Sequence, residues 1–296
     1  MSYYAEISRR NPTAFIFLID QSESMGEYLD IYDENNGRPI TKAQAVADTV
    51  NSMLEGLIGI CRKESGVSDL LDISLIGYGK SDNKVYRAWE GKLKKRLWCP
   101  ISQVKANPAE IVKYNVDVVI RGVNVSEEHI KDIWLIPKAE GNTPMKSALL
   151  KTKALLKNWI KDHYESYPPI VIHISDGNAT DINTKHELIK AAQDIKSLKT
   201  EDGNVLLINC LFTQGKAKPL IFPSSKSELP DNGNVSTFFE MSSVFPSKYT
   251  NIIIEIFCKD AILYKKARCF AYNVQSISGI IKLLDIGTRA KSNNSW

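Results

Sequence analysis

The chain has 296 residues and carries 38 Lys and Arg against 34 Asp and Glu, which gives a formal charge of +4 at pH 7. Its 43% hydrophobic and 24% charged residues are ordinary for a soluble globular protein. The charge is too small to make nucleic acid an expected partner, and the length fits one large domain or two modest ones.

The composition of the chain also bears on its location. It begins with a polar and charged segment, MSYYAEISRR, so we expect no signal peptide. No apolar segment approaches the roughly 20 residues that a membrane span needs, so we expect no membrane partner. The five cysteines are scattered and form no CxxC pair, which favours reduced thiols in a cytoplasmic protein.

The first half of the chain predicts strands around one helix. AFIFLI (Ala14–Ile19) is a short apolar run, as expected of a central strand buried on both faces. From Thr41, apolar residues recur at a spacing of three and four, which predicts an amphipathic helix with Thr41 as its N-cap. A second strand is predicted at Leu71–Gly79, and Lys84–Gly91 is predicted to pair with it after a turn.

The second half alternates helix and strand. Met145–Tyr164 and Thr184–Leu198 are predicted helices, and Pro169–Ser175 and Asn204–Phe212 are predicted strands. This alternation predicts an α/β fold of the doubly wound type, with a mostly parallel sheet, helices on both faces and one antiparallel edge strand. No long segment has linker composition, so we expect a single domain over 1–296.

Five polar residues follow the predicted strands or precede a helix. Asp20, Ser22 and Ser24 come after the first strand, Asp176 follows the strand at Pro169–Ser175, and Thr143 stands before the predicted helix at Met145–Tyr164. Ligands of open α/β sheets bind at the carboxyl ends of the strands, so we expect these side chains to converge. All their ligand atoms are oxygens, which indicates a hard cation, Mg²⁺ (or Mn²⁺) rather than Ca²⁺.

These residues resemble the metal-ion-dependent adhesion site of von Willebrand factor A domains. The matching positions are the DxSxS motif of Asp20, Ser22 and Ser24, then Thr143, then Asp176 in SDG. Towards the C-terminus, STFFEMSSVFP and ARCFAYNVQSISGIIKLLDIGTR look like the closing helix, edge strand and final helix of bacterial members. Such members are often encoded beside protein phosphatases and kinases in tellurite-resistance, stress-resistance or defence gene clusters.

The resemblance implies a protein-binding module rather than an enzyme. In such a module, a carboxylate from a partner's Asp or Glu completes the coordination of a Mg²⁺ held by the five residues. It would be a scaffold or regulator in a bacterial signalling, stress-resistance or defence system. Its partner could then be a phosphatase or a kinase from the same gene cluster.

Two segments are longer than the family pattern. The first, at about 25–40, carries Asp30, Asp33 and Glu34, and the second covers about 90–140. Lys113–Val125 in the second alternates apolar and polar residues, which predicts an added hairpin or a rim strand. Both segments are expected to border the site, either as determinants of partner choice or as variable surface loops.

Other interpretations of these residues stay open. Asp, Ser and Thr after strands also serve as turn formers and helix caps. The alternative function is a metal-dependent hydrolase or phosphoryl-transfer enzyme that uses Asp20 and Asp176. Against it, Ser22 occupies the position where such an enzyme would carry its second acid, and no histidine is placed as a base. His173 is interpreted as a buried, hydrogen-bonded core residue.

A nucleotide-binding loop is excluded by its glycines. Gly79, Lys80 and Ser81 look like the end of a P-loop, but the motif needs an earlier glycine where this chain has Ser74. The segment also leads into a predicted strand rather than a helix.

Overall fold

The computed structural model describes residues 3–32, 37–80, 84–120, 123–213, 218–249, 253 and 266–273. Its helices are α1 Lys42–Ile60, α2 Ile101–Ala106, α3 Met145–Asp162, α4 Lys185–Lys196 and α5 Gly233–Met241. Its strands are β1 Thr13–Gln21, β2 Tyr28–Tyr32, β3 Pro39–Thr41, β4 Arg62–Lys63, β5 Gly66–Val67, β6 Leu71–Gly79, β7 Lys84–Arg87, β8 Cys99–Pro100, β9 Glu110–Ile120, β10 Val123–Ile133, β11 Ile170–Ser175, β12 Lys199–Thr200, β13 Gly203–Asn204, β14 Leu206–Leu211, β15 Leu220–Ile221 and β16 Phe270–Tyr272.

The main sheet has the order β15-β16-β14-β11-β1-β6-β7, with β8 also paired to β6. The strands from β16 to β6 run parallel to one another. This arrangement confirms the predicted α/β fold with a mostly parallel sheet. The prediction of one antiparallel edge strand was incomplete, because β7, β8 and β15 all pair antiparallel with their neighbours.

The central strand β1 is buried on both faces, as its apolar sequence predicts. Phe15 and Phe17 belong to the core on one face of the sheet, while Ile16 and Leu18 belong to the core on the other. Side chains alternate between the faces of a strand, so a strand with apolar residues on both faces needs cover on both. Helices on both sides of the sheet provide that cover.

The helices divide between the two faces. α1 and α2 pack in the core that contains Phe15, and α3, α4 and α5 pack in the core that contains Ile16. The predicted N-cap of α1 is confirmed, because the Thr41 hydroxyl accepts a 3.1 Å hydrogen bond from the Gln44 backbone N–H. The helix α3 begins at Met145, as predicted, and Pro144 is its N-cap.

The two expanded segments contain strands. The first forms a ribbon of β2 and β3, which pair antiparallel beside the start of α1. The second includes α2 and a hairpin of β9 and β10, which pair from Glu110↔Ile133 to Ile120↔Val123. The predicted hairpin at Lys113–Val125 is therefore confirmed, and its strands are longer than the alternating pattern indicated.

Several sequence predictions lie outside the described residues or involve only part of them. The described residues do not include the predicted final helix after Tyr272 or the predicted turn before Lys84. They also do not include Asp33 and Glu34 of the first expanded segment, or Cys258. The edge strand of the C-terminal resemblance is β16, which is one strand inside the edge because β15 pairs with it.

The cysteines that the structure describes are free and buried. Within the described part of the chain, no helix is both long and apolar enough to cross a membrane.

Candidate metal centre

Asp20 lies at the carboxyl end of β1 and is 1% exposed. Its Oδ1 accepts hydrogen bonds from the Ser22 backbone N–H, at 3.0 Å, and from the Ser22 hydroxyl, at 2.6 Å. Its Oδ2 accepts a 2.6 Å hydrogen bond from the hydroxyl of Ser175, the last residue of the neighbouring strand β11. The carboxylate is thus held in one orientation from both sides.

The two predicted acids of the site influence one another. Burial, together with the nearby charge of Asp176, raises the pKa of Asp20 to about 6, although the hydrogen bonds from Ser175 and Ser22 lower it. Two carboxylates brought together in a buried place repel one another unless a cation neutralises them. The electrostatics therefore favour positive charge beside these two side chains, and the Lys42 ammonium supplies part of it.

Asp176 is buried and has one unsatisfied oxygen. Its side chain is 3% exposed, and Oδ2 lies 3.2 Å from the ammonium of Lys42. Oδ1 is buried and has no hydrogen-bond partner. A buried carboxylate oxygen without a partner costs free energy, so a group that binds there would be stabilised.

Ser22 and Ser24 lie side by side in the candidate site, and Ser24 is its most exposed residue. Their hydroxyl oxygens lie 3.3 Å apart, with Ser22 buried and Ser24 half-buried. The short 3₁₀ turn at Glu23–Gly26 places both hydroxyls on the same side as Asp20. This is the local geometry that the alternate spacing of DxSxS predicts.

The loop that carries Thr143 is bound to the end of β1. The Glu140 backbone N–H donates to the Gln21 carbonyl, and the Glu23 N–H donates to the Gly141 carbonyl, both at 2.9 Å. These bonds fix the Thr143 loop directly beside the DxSxS turn.

The same loop is also bound to the segment after Asp176. The Thr143 N–H donates to the Thr180 hydroxyl at 3.0 Å, and the Thr180 N–H donates to the Thr143 carbonyl at 2.9 Å. Thr143 itself is 4% exposed. The structure therefore brings all three predicted segments of the site to one edge of the sheet.

The donor set fits a hard divalent cation. Within the described residues, no three His, Cys, Asp or Glu side chains cluster as a metal site. The candidate centre instead combines two carboxylates with hydroxyls, and a set of oxygens with few charges suits Mg²⁺, which keeps several waters. The unpartnered Oδ1 of Asp176 is the observation that supports this fit.

Three side chains around the site were not predicted from the sequence: Ser175, Lys42 and Glu27. Ser175 binds Asp20, and Lys42 binds both Asp176 and Glu27. For Ser175 the available signal was its place in SDG at the end of a buried strand. For Lys42 the signal was a lysine in the first turn of a helix, where the helix dipole disfavours a cation.

A buried polar chain leads away from the site through the sheet. The Tyr78 hydroxyl lies 2.8 Å from Nε2 of His173, and Nδ1 of His173 lies 2.8 Å from Oδ1 of Asn209. The Asn209 amide donates to the hydroxyl of Ser242, which follows α5. Burial lowers the pKa of His173 to about 4, so the ring is neutral at pH 7. The interpretation of His173 as a hydrogen-bonded core residue is confirmed.

Comparison with known proteins gives remote structural similarity. No protein-family model and no curated protein matches the chain. One similar solved structure is the vWF domain of the type V pili tip protein Mfa5 from Porphyromonas gingivalis, with a TM-score of 0.46 and 9% identity over 95% of this chain and 97% of that one. Another is proximal thread matrix protein 1 from the mussel byssus, with a TM-score of 0.42 and 13% identity over 96% of this chain and 48% of that one.

A third similar structure is the ArnB paralog VWA2 from Sulfolobus acidocaldarius, with a TM-score of 0.32 and 17% identity over 71% of this chain and 36% of that one. The chain thus spans about half the length of the mussel protein and about a third of the Sulfolobus protein. These similarities are remote, and the fold is assigned from the order and register of the strands.

Proposed function

We propose that the chain is a divalent-cation-dependent protein-binding module. The observation that carries the proposal is the pair of buried acids: Asp20 is held by Ser22 and Ser175, and Asp176 presents a buried oxygen without a partner. A bound Mg²⁺ or Mn²⁺ would neutralise these carboxylates and supply a Lewis-acidic position for one further anionic ligand. The expected metal-binding residues are Asp20, Ser22, Ser24, Thr143 and Asp176.

The side chains around the site favour binding over chemistry. The Ser22 and Ser24 hydroxyls and that of Thr143 add ligand oxygens but no negative charge, so the site remains attractive to an anion. Ser24 is half-buried, which leaves the site open to a partner on that side. A partner's Asp or Glu would then form a charge-assisted contact in a partly dry interface, as polar hot spots do.

We propose a cytoplasmic location because the described cysteines are free thiols. From the sequence resemblance we propose a scaffold or regulator in a bacterial signalling, stress-resistance or defence system. A phosphatase or kinase of the same gene cluster is the proposed partner.

The enzymatic alternative has less support. A hydrolase or phosphoryl-transfer enzyme built on Asp20 and Asp176 would need a general base near them. His173, which lies on the strand that ends at Ser175, has both ring nitrogens within hydrogen-bond distance of Tyr78 and Asn209. We therefore keep catalysis as an outcome to test and not as the proposal.

The first experiment is a calorimetric titration of the full chain with Mg²⁺ and with Mn²⁺. We expect one saturable site, abolished in Asp20→Asn, which keeps the shape of the side chain but removes its charge. Asp194→Asn is the matched control, since Asp194 makes a half-exposed ion pair with Lys153 away from the site. Equal binding by the wild type and Asp20→Asn would refute the proposed metal centre.

The second experiment tests the partner. Proteins captured by the wild type in Mg²⁺ and in EDTA are compared by mass spectrometry, with Asp20→Asn as the negative control. A partner that is lost in EDTA and lost with Asp20→Asn supports the module, and its own acidic residues are then substituted in turn. Turnover of phosphoester substrates by the pure protein, lost in Asp20→Asn, would favour the enzyme instead.

A further inference from the structure

Lys42 is a buried lysine whose ammonium lies between two acids. It is 4% exposed, and its Nζ lies 2.6 Å from Oε2 of Glu27 and 3.2 Å from Oδ2 of Asp176. Lysine is almost never fully buried unless it is paired, because removing an ammonium from water is costly. The position of this side chain is therefore explained by the acids and not by packing.

The helix itself gives no reason for a lysine here. Lys42 is the first residue of α1, where the exposed backbone N–H groups favour negative charge. Thr41 already caps the helix, and the Lys42 backbone N–H is bound to the Glu27 carbonyl at 2.9 Å. These contacts fix the root of the side chain, so that the ammonium can reach the candidate metal centre.

The contact with Asp176 has a consequence for metal binding. The Lys42 ammonium donates a hydrogen bond to Oδ2 of Asp176, while Oδ1 of Asp176 has no hydrogen-bond partner. A divalent ion ligated by Asp176 must then share that carboxylate with a fixed positive charge. Glu27, whose side chain is 48% exposed, in turn balances part of the lysine charge.

We propose that Lys42 is a built-in counter-cation of the metal centre, which weakens its affinity for divalent ions by sharing Asp176, and that Glu27 moderates this effect. The inference rests on the proposed function, since it concerns the same site. It identifies Lys42 and Glu27 as residues that set how much free Mg²⁺ or Mn²⁺ the protein needs.

The expected size of the effect follows from electrostatics. A single charge about 4–6 Å away changes the proton affinity of a carboxyl group by about one to three pKa units. A divalent ion carries twice the charge of a proton, so Lys42→Met should tighten metal binding by at least about tenfold. Glu27→Gln should act in the opposite direction and weaken binding by about threefold, because its exposure to solvent reduces the interaction.

The test is a calorimetric titration of the full chain with Mn²⁺ at fixed pH and ionic strength. Wild type, Lys42→Met and Glu27→Gln are compared with the control Lys153→Met, which removes the same charge from the ion pair with Asp194. We expect tighter binding for Lys42→Met, weaker binding for Glu27→Gln and no change for the control. If the wild type binds Mn²⁺ saturably and Lys42→Met binds it with equal or lower affinity, the inference is overturned and the proposed function stands.

A second measurement does not depend on the titration. Thermal unfolding is recorded in EDTA and in saturating Mn²⁺, and we expect the gain in Tm on adding Mn²⁺ to be larger for Lys42→Met than for wild type or Lys153→Met. The reason is that loss of the lysine leaves Asp176 without a cationic partner until metal binds. Equal gains would overturn the inference. If Lys42→Met does not fold, the Mn²⁺ affinity of Glu27→Gln decides: a lower affinity than that of the wild type supports the inference, and an equal or higher one overturns it. A wild type without any Mn²⁺ binding refutes the proposed function itself.

Discussion

The hydroxyl of Ser175 donates a 2.6 Å hydrogen bond to Oδ2 of Asp20, and the two residues come from adjacent parallel strands. The same hydroxyl oxygen accepts a 3.0 Å hydrogen bond from the Gly177 backbone N–H. Ser175 therefore connects the DxSxS carboxylate with the turn that follows Asp176. Its role is to orient Asp20, which the sequence motif does not reveal.

Ser175→Ala should weaken metal binding without abolishing it. Loss of one hydrogen bond to a carboxylate costs about 1–3 kcal/mol, so we expect an affinity for Mn²⁺ that is lower by about tenfold or somewhat more. The measurement is the same calorimetric titration. Ser197→Ala is the control, because the exposed Ser197 hydroxyl bonds only the Gln193 carbonyl at the end of α4, and its affinity should equal that of the wild type.

Stability between pH 4 and 6.5 should depend on His173. Burial lowers its pKa from 6.5 to about 4 in the folded protein, so in this window His173 is protonated more in the unfolded chain, and its contribution to stability is lost as the pH falls. The full effect corresponds to about 3 kcal/mol. Asp20 contributes the opposite slope, since its folded pKa of about 6 lies above its usual 3.8.

The difference between variants therefore isolates the His173 contribution. Free energies of unfolding by urea are measured across the window for the wild type, His173→Gln and the exposed control His186→Gln. His173→Gln should be less destabilised by acid than the wild type, and His186→Gln should behave as the wild type does. Parallel pH curves for the wild type and His173→Gln would contradict the buried, neutral histidine.

Asn51 holds the start of the loop that carries Thr143. Its Oδ1 accepts hydrogen bonds from the backbone N–H groups of Trp134 and Leu135, and its amide donates to the Leu135 carbonyl, all at 3.0 Å. Asn51→Ala should lower the free energy of unfolding by about 3 kcal/mol, because it leaves three buried backbone groups unsatisfied. Ser52→Ala, at an exposed position of the same helix, should stay within about 0.5 kcal/mol in urea unfolding.

Gly79 is required by the close approach of β6 to the end of β1. Its φ is +130°, and an added Cβ would lie 2.7 Å from the backbone of Gln21 and 2.8 Å from the Ser22 nitrogen. Gly79→Ala should therefore cost roughly 3 kcal/mol or more and displace the DxSxS turn. Gly59→Ala has open space in α1 and should stabilise the protein by up to about 1 kcal/mol. Thermal unfolding of the two variants provides the comparison, and similar Tm values would contradict it.

The sequence alone predicted the sheet and the grouping of the site. The two-sided apolar run of β1 requires cover on both faces, and the parallel order of the strands brings their carboxyl ends to one edge. Asp20, Ser22 and Ser24 are close in the chain, so the turn that presents them is a local property. Their proximity to Asp176 then follows from the pairing of β1 with β11.

The tertiary structure decided which side chains contact the two acids of the site. The contact between Lys42 and Asp176 joins residues 134 positions apart in the chain, and that between Ser175 and Asp20 joins residues 155 apart. Neither contact belongs to a repeating pattern, because each depends on the orientation of one side chain in a packed interior. Periodicity fixes which face of an element is buried, whereas the partner of a single polar side chain is fixed only when the loops have closed around it.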